Sequence, residues 1–335
     1  MAGVADATTI ATGADHSCAT ETNGDVRCWG TNQLGQRGWT ADLEPAIYHP
    51  RWAWYPEEIS HTPQAVPISA AEAAFADAYR SCASGADGSV VCWGQDLTFT
   101  MSLAAPSSIP NVSFATSVAT GDDSQSCAVT PGGVVKCWGR GWYGVRVGVE
   151  TVSLPAPAVE VDGDTYSTCA RLETGELYCW GGYIEGSIGN AGDALMPQKM
   201  QGIEDVVDLS ESCVVTAGHA LVCWYFPWLP GAVEQGVPTT LATGVVRVDG
   251  PCVVRESGQA ACFVDFGALD PAVDGLLDIA GAENVLEVAS GASHACALRA
   301  DGQVACWGWA AAGRLGGELR TVFTEPQLIA TALAD

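Results

Sequence analysis

The chain has 335 residues, with 14 basic against 39 acidic side chains and a formal net charge of −25 at pH 7. This charge argues against binding to nucleic acid or to anionic membranes, because such partners require a cationic surface. No stretch is long and apolar enough to span a membrane, and no signal peptide is recognisable.

Seven cysteine pairs follow one another along the chain, each with a spacing of ten residues, and together they account for all 14 cysteines. In chain order the pairs are Cys18 and Cys28, Cys82 and Cys92, Cys127 and Cys137, Cys169 and Cys179, Cys213 and Cys223, Cys252 and Cys262, and Cys296 and Cys306. Their first members recur every 39 to 64 residues. A supersecondary unit repeated at this interval predicts a propeller or a solenoid.

Each unit is predicted to be a β-hairpin. In the last one, from His294 to Gly308, apolar and polar residues alternate on both sides of a turn at Ala300, Asp301 and Gly302. A three-residue turn of this kind ends in a left-handed residue, which favours glycine. Six units have glycine there and the fifth has His219; the glycines are Gly24, Gly88, Gly133, Gly175, Gly258 and Gly302.

This register places the two cysteines of each unit directly opposite each other on neighbouring strands. Seven hairpin disulfides are therefore one interpretation, and seven pairs of buried thiols are the other. The complete pairing favours disulfides. The spacing is not that of a zinc site, and we predict no metal ligand among the cysteines.

A large aromatic residue follows the second cysteine of every unit. Strand alternation turns it to the face opposite the cysteine, so we expect these rings to pack between adjacent repeats. The residues are Trp29, Trp93, Trp138, Trp180, Trp224, Phe263 and Trp307.

The segment HSCATETNGDVRCWGTNQLGQRG, from His16 to Gly38, resembles the regulator of chromosome condensation repeat family, as does HACALRADGQVACWG near the end. The cysteine-paired form is similar to bacterial secreted members. The resemblance implies an all-β, seven-bladed β-propeller of four-stranded blades, forming a single domain over 1–335. It also implies a ring closed by N- and C-terminal strands that share a blade, with Pro326–Leu333 completing blade one.

Compartment and function follow from different parts of the sequence. The paired cysteines predict an extracellular, periplasmic or cell-surface location. The eukaryotic members' nucleotide exchange and nucleosome binding are not expected here, because the chain is strongly acidic.

Segments after the third strand of each unit carry many aromatic residues, including a long insertion at 39–61. Exposed rings of this kind are typical of binding hot spots, so we expect a protein partner on this face. The predicted partner-binding residues are Trp39, Trp52, Trp54, Tyr55, Trp142, Tyr143, Trp228 and Trp309. Carbohydrate binding and simple local packing of the rings remain alternatives.

Acidic residues precede several hairpins, namely Asp15, Asp77, Asp122, Asp123, Asp162, Asp164, Asp208 and Asp249. Gathered near the axis or at one mouth of the channel, they would bind calcium or a cationic ligand, or serve a lyase or hydrolase; solvated loop acids are the simpler interpretation. The sequence has no nucleophile elbow, metal-binding histidine pair or phosphate loop. We therefore predict no catalytic residue and no cofactor, and we expect structural hydrogen bonds from His16 and His294.

Overall fold

A computed structural model describes residues 3–32, 34–38, 59–68, 70–77, 79–95, 103–120, 125–139, 148–163, 167–181, 194–225, 236–263, 275–308, 315 and 323–328. These residues form seven four-stranded antiparallel sheets arranged as the blades of a β-propeller, and they contain no helix. The predicted all-β, seven-bladed fold is confirmed. Among the described residues no helix is long and apolar enough to cross a membrane.

Consecutive strands of the chain pair with each other in every blade, so the strand numbers run in order across each sheet. The first strands are β1 (Ala7–Thr12), β5 (Ala71–Asp77), β9 (Ser117–Thr120), β13 (Ala158–Gly163), β17 (Val206–Ser210), β21 (Val245–Asp249) and β25 (Val285–Ser290). The second strands are β2 (His16–Glu21), β6 (Arg80–Gly85), β10 (Gln125–Thr130), β14 (Ser167–Leu172), β18 (Cys213–Thr216), β22 (Cys252–Arg255) and β26 (His294–Arg299).

The outer half of each blade consists of its third and fourth strands. The third strands are β3 (Val26–Thr31), β7 (Ser89–Gln95), β11 (Val134–Gly139), β15 (Leu177–Gly181), β19 (Ala220–Cys223), β23 (Ala260–Cys262) and β27 (Val304–Gly308). The fourth strands are β4 (Ile59–Ala65), β8 (Leu103–Ser113), β12 (Glu150–Val152), β16 (Ala194–Lys199), β20 (Thr239–Thr243), β24 (Leu277–Asp278) and β28 (Phe323–Leu328). The predicted insertion at 39–61 therefore runs into β4.

The first strands surround the axis of the ring. Each of them contacts the first strand of the next blade, and β25 contacts β1, so the circle is complete. We number the junctions by the blade they leave: junction one joins blades one and two, and junction seven joins blades seven and one.

All seven predicted disulfides are present, and they join residues in direct register on the second and third strands. The bonds join Cys18 to Cys28, Cys82 to Cys92, Cys127 to Cys137, Cys169 to Cys179, Cys213 to Cys223, Cys252 to Cys262, and Cys296 to Cys306. Their Cα atoms lie 4.0 to 4.1 Å apart, as in a non-hydrogen-bonded pair of an antiparallel ladder. The interpretation as buried thiols is wrong.

The hairpin turns have the predicted form. In blade seven the N–H of Arg299 donates to the carbonyl of Gln303 at 2.9 Å, which closes a loop of three residues. The last turn residue has a positive φ in every blade, from 59° at His219 to 85° at Gly88. The histidine of blade five thus adopts the left-handed conformation that glycine adopts elsewhere.

Each disulfide packs against the aromatic residue of the next blade. Cys18 and Cys28 lie in one apolar cluster with Trp93, and the same pairing recurs around the ring until Cys296 and Cys306 meet Trp29. These rings are at most 3% exposed. The predicted packing layer is confirmed, and it is built from one sulfur pair and one ring at every junction.

The strands that the structure describes close the ring without a shared blade, so the prediction that Pro326–Leu333 completes blade one is wrong. Blade one is complete in itself because β4 pairs with β3, leaving no position for a terminal strand. The C-terminal strand β28 pairs instead with β27, with Cys306 opposite Gln327 and Gly308 opposite Phe323. Residues 329–333 of the predicted exchanged strand lie outside the described part of the chain. Junction seven therefore joins two complete blades.

Candidate functional site

The up-and-down order of the strands divides the ring into two faces. We call the face with the turns between second and third strands, and with the connections between blades, the hairpin face. The opposite face holds the connections from first to second and from third to fourth strands, and we call it the loop face. Connections from third to fourth strands occupy 32–58, 96–102, 140–149, 182–193, 224–238, 263–276 and 309–322.

The eight predicted partner-binding residues all belong to these connections, and all eight lie outside the described residues. They are Trp39, Trp52, Trp54, Tyr55, Trp142, Tyr143, Trp228 and Trp309. The ends of the strands that flank them are described and lie on the loop face. Partner binding by these residues therefore stays a prediction.

The described start of the first connection is fixed to the neighbouring blade. The carbonyl of Gln36 accepts hydrogen bonds from the indole N–H of Trp93, at 2.7 Å, and from the hydroxyl of Ser81, at 3.0 Å. Leu315, in the last connection, is buried in the apolar cluster that contains Trp29 of blade one. Both connections thus contribute residues to the scaffold.

The hairpin face is fastened by the turns themselves. In every blade the carbonyl of the last turn residue accepts a hydrogen bond of 2.7 to 3.1 Å from a backbone N–H where the next blade begins. At junction seven this bond runs from the N–H of Ala7 to the carbonyl of Gly302. The turns therefore serve the contact between blades as well as the hairpin.

A second candidate site lies beside the axis, where the first strands of six blades carry a polar residue at one equivalent position. This position is opposite the second residue after the first cysteine, and in blade order it holds Thr9, Ala73, Ser117, Glu160, Asp208, Arg247 and Glu287. The position opposite the cysteine adds Asp162 and Asp249 on the same strand face.

These acids accept hydrogen bonds from backbone amides of the next blade. The N–H of Val248 donates to Asp208 Oδ2 at 2.8 Å, and the N–H of Ser290 donates to Asp249 Oδ1 at 2.6 Å. Glu160 and Glu287 accept in the same way from Leu209 and Ile10. A first strand pairs with a neighbour in its own sheet on one side only. Carboxylates of the preceding blade accept hydrogen bonds from amides on its unpaired side.

The surroundings raise the pKa values of these groups. Burial, followed by repulsion from Glu160, raises the pKa of Asp208 to about 7. Burial raises the pKa of Glu287 to about 7 and that of Glu160 above its usual range. Burial and the nearby carboxylate of Asp162 raise the pKa of Asp249 well above its usual range.

The structure brings together part of the predicted acidic group. Asp162 and Asp249 interact, and Asp208 lies near Glu160, whereas Asp122, Asp123 and Asp164 are outside the described residues. Sequence reasoning missed Glu160 and Glu287. Aligning the seven units on their cysteines would have found both, because each lies nine residues before the first cysteine.

Two buried serine–histidine pairs lie between blades, and such a pair is the core of many hydrolases. His16 Nε2 lies 2.8 Å from Ser81 Oγ, and His294 Nε2 lies 2.8 Å from Ser17 Oγ. Since Ser81 donates its proton to Gln36, His16 must donate through Nε2. All four residues are at most 1% exposed, so no substrate reaches them, and the predicted structural role of the histidines is confirmed.

Metal binding has no support in the described residues, where no three His, Cys, Asp or Glu side chains are grouped so that they could hold an ion. We call Glu160, Asp208, Asp249 and Glu287 the axial carboxylates; all four accept hydrogen bonds from amides, and two of them also contact an arginine. Arg171 Nε lies 2.7 Å from Glu160 Oε2, and Arg247 Nη1 lies 3.6 Å from Asp208 Oδ1.

Two of the seven units match a known family of repeats. The family model described as the regulator of chromosome condensation (RCC1) repeat matches residues 7–36 and 285–314, in blades one and seven. A comparison with curated protein sequences finds no match.

Several solved structures share the fold. The crystal structure of human WBSCR16 has a TM-score of 0.76 at 18% identity, covering 92% of this chain and 94% of that chain. Saccharomyces cerevisiae Prp20p, whose binding to Gsp1p and histones has been described, has a TM-score of 0.56 at 18% identity, covering 97% and 77%. The ectodomain of the Arabidopsis thaliana receptor kinase ACR4 has a TM-score of 0.54 at 16% identity, covering 96% and 99%.

Proposed function

We propose that the chain works by binding another protein on its loop face, because it is a seven-bladed propeller whose first and last blades match the RCC1 repeat. The observation that carries this proposal is topological. All seven connections between third and fourth strands begin and end on that one face. Seven separate segments of the chain are therefore available to a single partner.

The scaffold suits such a role because it is rigid where the connections begin. Disulfides cross-link every hairpin, and polar bonds fasten each described junction. Binding residues are concentrated on loops that a rigid scaffold positions. A pre-organised scaffold also lowers the entropy that is lost on association.

The composition of the connections supports the same face. They contain the eight aromatic residues predicted to bind, and tryptophan and tyrosine are enriched in interface hot spots. The hairpin face has short turns whose carbonyls already bond to the next blade. The loop face is thus the better candidate for a partner.

The charge of the chain narrows the partner class. A net charge of −25 favours association with a neutral or basic protein surface and opposes an acidic one. The seven disulfides are typical of proteins in oxidising compartments. We therefore propose that the chain binds its partner in the extracellular space, at the cell surface or in a periplasm.

The test is capture of a partner followed by affinity measurement with purified proteins. The immobilised propeller would be exposed to extracellular proteins of its source, and the retained partner identified by mass spectrometry. Calorimetry would then compare the wild type with Trp52→Ala/Trp54→Ala and Trp142→Ala/Tyr143→Ala. We expect each double variant to weaken binding by about tenfold or more, with the melting temperature unchanged.

A matched control changes an exposed apolar side chain away from the loop face. Leu286, near the hairpin-face end of β25, is 57% exposed, and Leu286→Ala should leave the affinity unchanged. Equal loss in the control and the loop variants would contradict the proposal. Capture of a glycan instead of a protein would favour carbohydrate binding over this proposal. A catalytic activity that depends on Asp208 would favour an enzymatic function.

A further inference from the structure

The side-chain bonds between neighbouring blades differ around the ring. At junctions four to seven carboxylates of the first strands accept hydrogen bonds from the next blade, and we call these junctions the carboxylate arc; uncharged bonds occur there as well, from the N–H of Gly250 to Ser210 and between Ser17 and His294. At junctions one to three the described bonds come from hydroxyl, imidazole and guanidinium groups, and we call these the hydroxyl arc. The division follows the order of the blades without interruption.

The carboxylate arc has an amide–carboxylate bond at each of its four junctions. At junction four the N–H of Glu211 donates to Asp162 Oδ2 at 2.8 Å, beside the bond from Leu209 to Glu160. Asp208, Asp249 and Glu287 follow at junctions five, six and seven. Each bond joins a first strand to the next blade.

The bonds described in the hydroxyl arc use groups that do not change charge near neutral pH. Thr9 Oγ1 accepts from the N–H of Ala74 at 3.4 Å at junction one, and Arg80 Nη1 donates to Ser126 Oγ at 3.0 Å at junction two. Ser117 Oγ both donates to and accepts from the backbone of Val161 at junction three, at 3.0 Å each. His16 stays neutral because burial lowers its pKa to about 3.

Charged neighbours of the arc carboxylates are mostly other acids. Asp249 faces Asp162, Glu211 and Glu287, while Asp208 faces Glu160 and the two guanidinium groups of Arg171 and Arg247. Arg247 also acts on Glu160 and Glu287. In the hydroxyl arc, the acid of β5, Asp77, lies in register with Arg80.

We propose that the carboxylate arc is a pH-responsive part of the ring. Its junctions loosen when the first-strand carboxylates that bond to the next blade lose their protons, whereas the contacts between blades in the hydroxyl arc do not change with pH. A protonated acid still accepts the amide hydrogen through its carbonyl oxygen and carries no charge. Loss of the proton places like charges close together beside the axis, where burial strengthens their repulsion. The added repulsion acts across the blade boundaries.

Hydrogen exchange measured by mass spectrometry on the intact, oxidised protein tests this. After correction for the intrinsic rate, protection of β17, β21 and β25 should fall by about tenfold or more between pH 6 and pH 8.5. Protection of β5 and β9 should stay within about twofold. Equal loss in both arcs, or constant protection in the carboxylate arc, would overturn the proposal.

Two variants separate titration from hydrogen bonding. Asp208→Asn and Asp249→Asn keep an oxygen that accepts the amide hydrogen but do not ionise. Each should remove the pH dependence at its own junction, whereas Asp301→Asn, at an exposed hairpin turn, should leave it unchanged. Persistence of the pH dependence in both arc variants would also overturn the proposal. If a variant fails to fold, the comparison of the two arcs in the wild type decides.

Discussion

Two adjacent glycines in the turn of blade three distinguish the backbone strain caused by a side chain from the steric clash that it makes with the next blade. Gly132 and Gly133 both have positive φ, 77° and 71°. A Cβ at Gly132 would meet nothing within 4 Å, whereas at Gly133 it would lie 2.4 Å from the Cβ of Pro157 in the next blade. The first position has only a backbone cost, and the second also has a packing cost.

We therefore expect Gly133→Ala to destabilise the protein more than Gly132→Ala. Both substitutions should cost about 1 kcal/mol for the left-handed backbone. Gly133→Ala should cost a further 1–3 kcal/mol, roughly the range of overpacking. Equilibrium unfolding in denaturant measures both values. Equal losses would mean that the contact with Pro157 yields without cost.

The glycines show what the repeat pattern could predict at the residue scale. Their recurrence at one position predicted a left-handed turn residue, because that requirement is local. The use of the turn carbonyl by the next blade was not predictable, since it joins residues that only the closed ring brings together. His219 illustrates this: it lacks the glycine signal yet makes the same carbonyl bond, to the N–H of Val245.

At the scale of the element, the disulfide hairpin combines a cross-link with a packing surface. We expect replacement of both Cys127 and Cys137 by alanine to lose about 2–3 kcal/mol of stability from the opened loop, measured by denaturant unfolding. A second variant, with valine at Cys127 and alanine at Cys137, restores apolar volume beside Trp180 without the cross-link. It should remain well below the wild type. Full recovery would show that packing, and not the cross-link, supplied the stability.

The inner hairpins were predictable as elements, and the fourth strands were not. Cysteine spacing, alternation and turn residues all lie within one short segment of sequence, so the hairpin is defined locally. The fourth strands follow connections of very different length, and β24 has two residues. Their pairing is decided by the free edge of the third strand, which the sequence pattern does not mark.

Buried acids of the first strands were partly predicted. Asp162, Asp208 and Asp249 were expected near the axis or at a channel mouth, either as ligands or as solvated loop acids. Each lies in a first strand and accepts a hydrogen bond from the following blade. Their role depends on contacts across a junction, which no single repeat contains.

For the whole molecule, the raised pKa values predict a stability that falls as pH rises. Asp208 and Glu287 have pKa values of about 7 in the folded protein, above those of unfolded carboxyl groups, so the folded protein binds more protons between about pH 4 and pH 7. The free energy of unfolding should therefore decrease through that range and reach its lower level above pH 7. Melting curves from pH 5 to pH 8.5 measure this.

Measuring the pH dependence of stability at high salt distinguishes the effect of the buried carboxylates from that of the surface charge. At 1 M ionic strength the Debye length is about 3 Å, so repulsion among exposed acids is largely screened while buried pairs are screened much less. A decline with pH that persists in high salt belongs to the axial carboxylates. A decline that disappears in high salt would assign the effect to the surface.

Closure of the ring was the part of the architecture that resemblance predicted wrongly. The terminal segment was expected to complete blade one because the family often closes in that way. In this chain β4 already occupies the outer edge of blade one, and β28 occupies the outer edge of blade seven. The number of blades could be predicted from the repeats. The place where the two ends of the chain meet depends on which strand pairs with the free edge of each third strand, and the repeats do not show this.

A seam between two complete blades makes the starting point of the chain arbitrary. Junction seven has the turn carbonyl bond and the sulfur pair against a ring that every other junction has, and a carboxylate bonded to an amide as at junctions four to six. Circular permutation is therefore compatible with this architecture. A gene with residue 335 joined to residue 1 and new ends opened between β12 and β13 would encode the same seven contacts between blades in a different order.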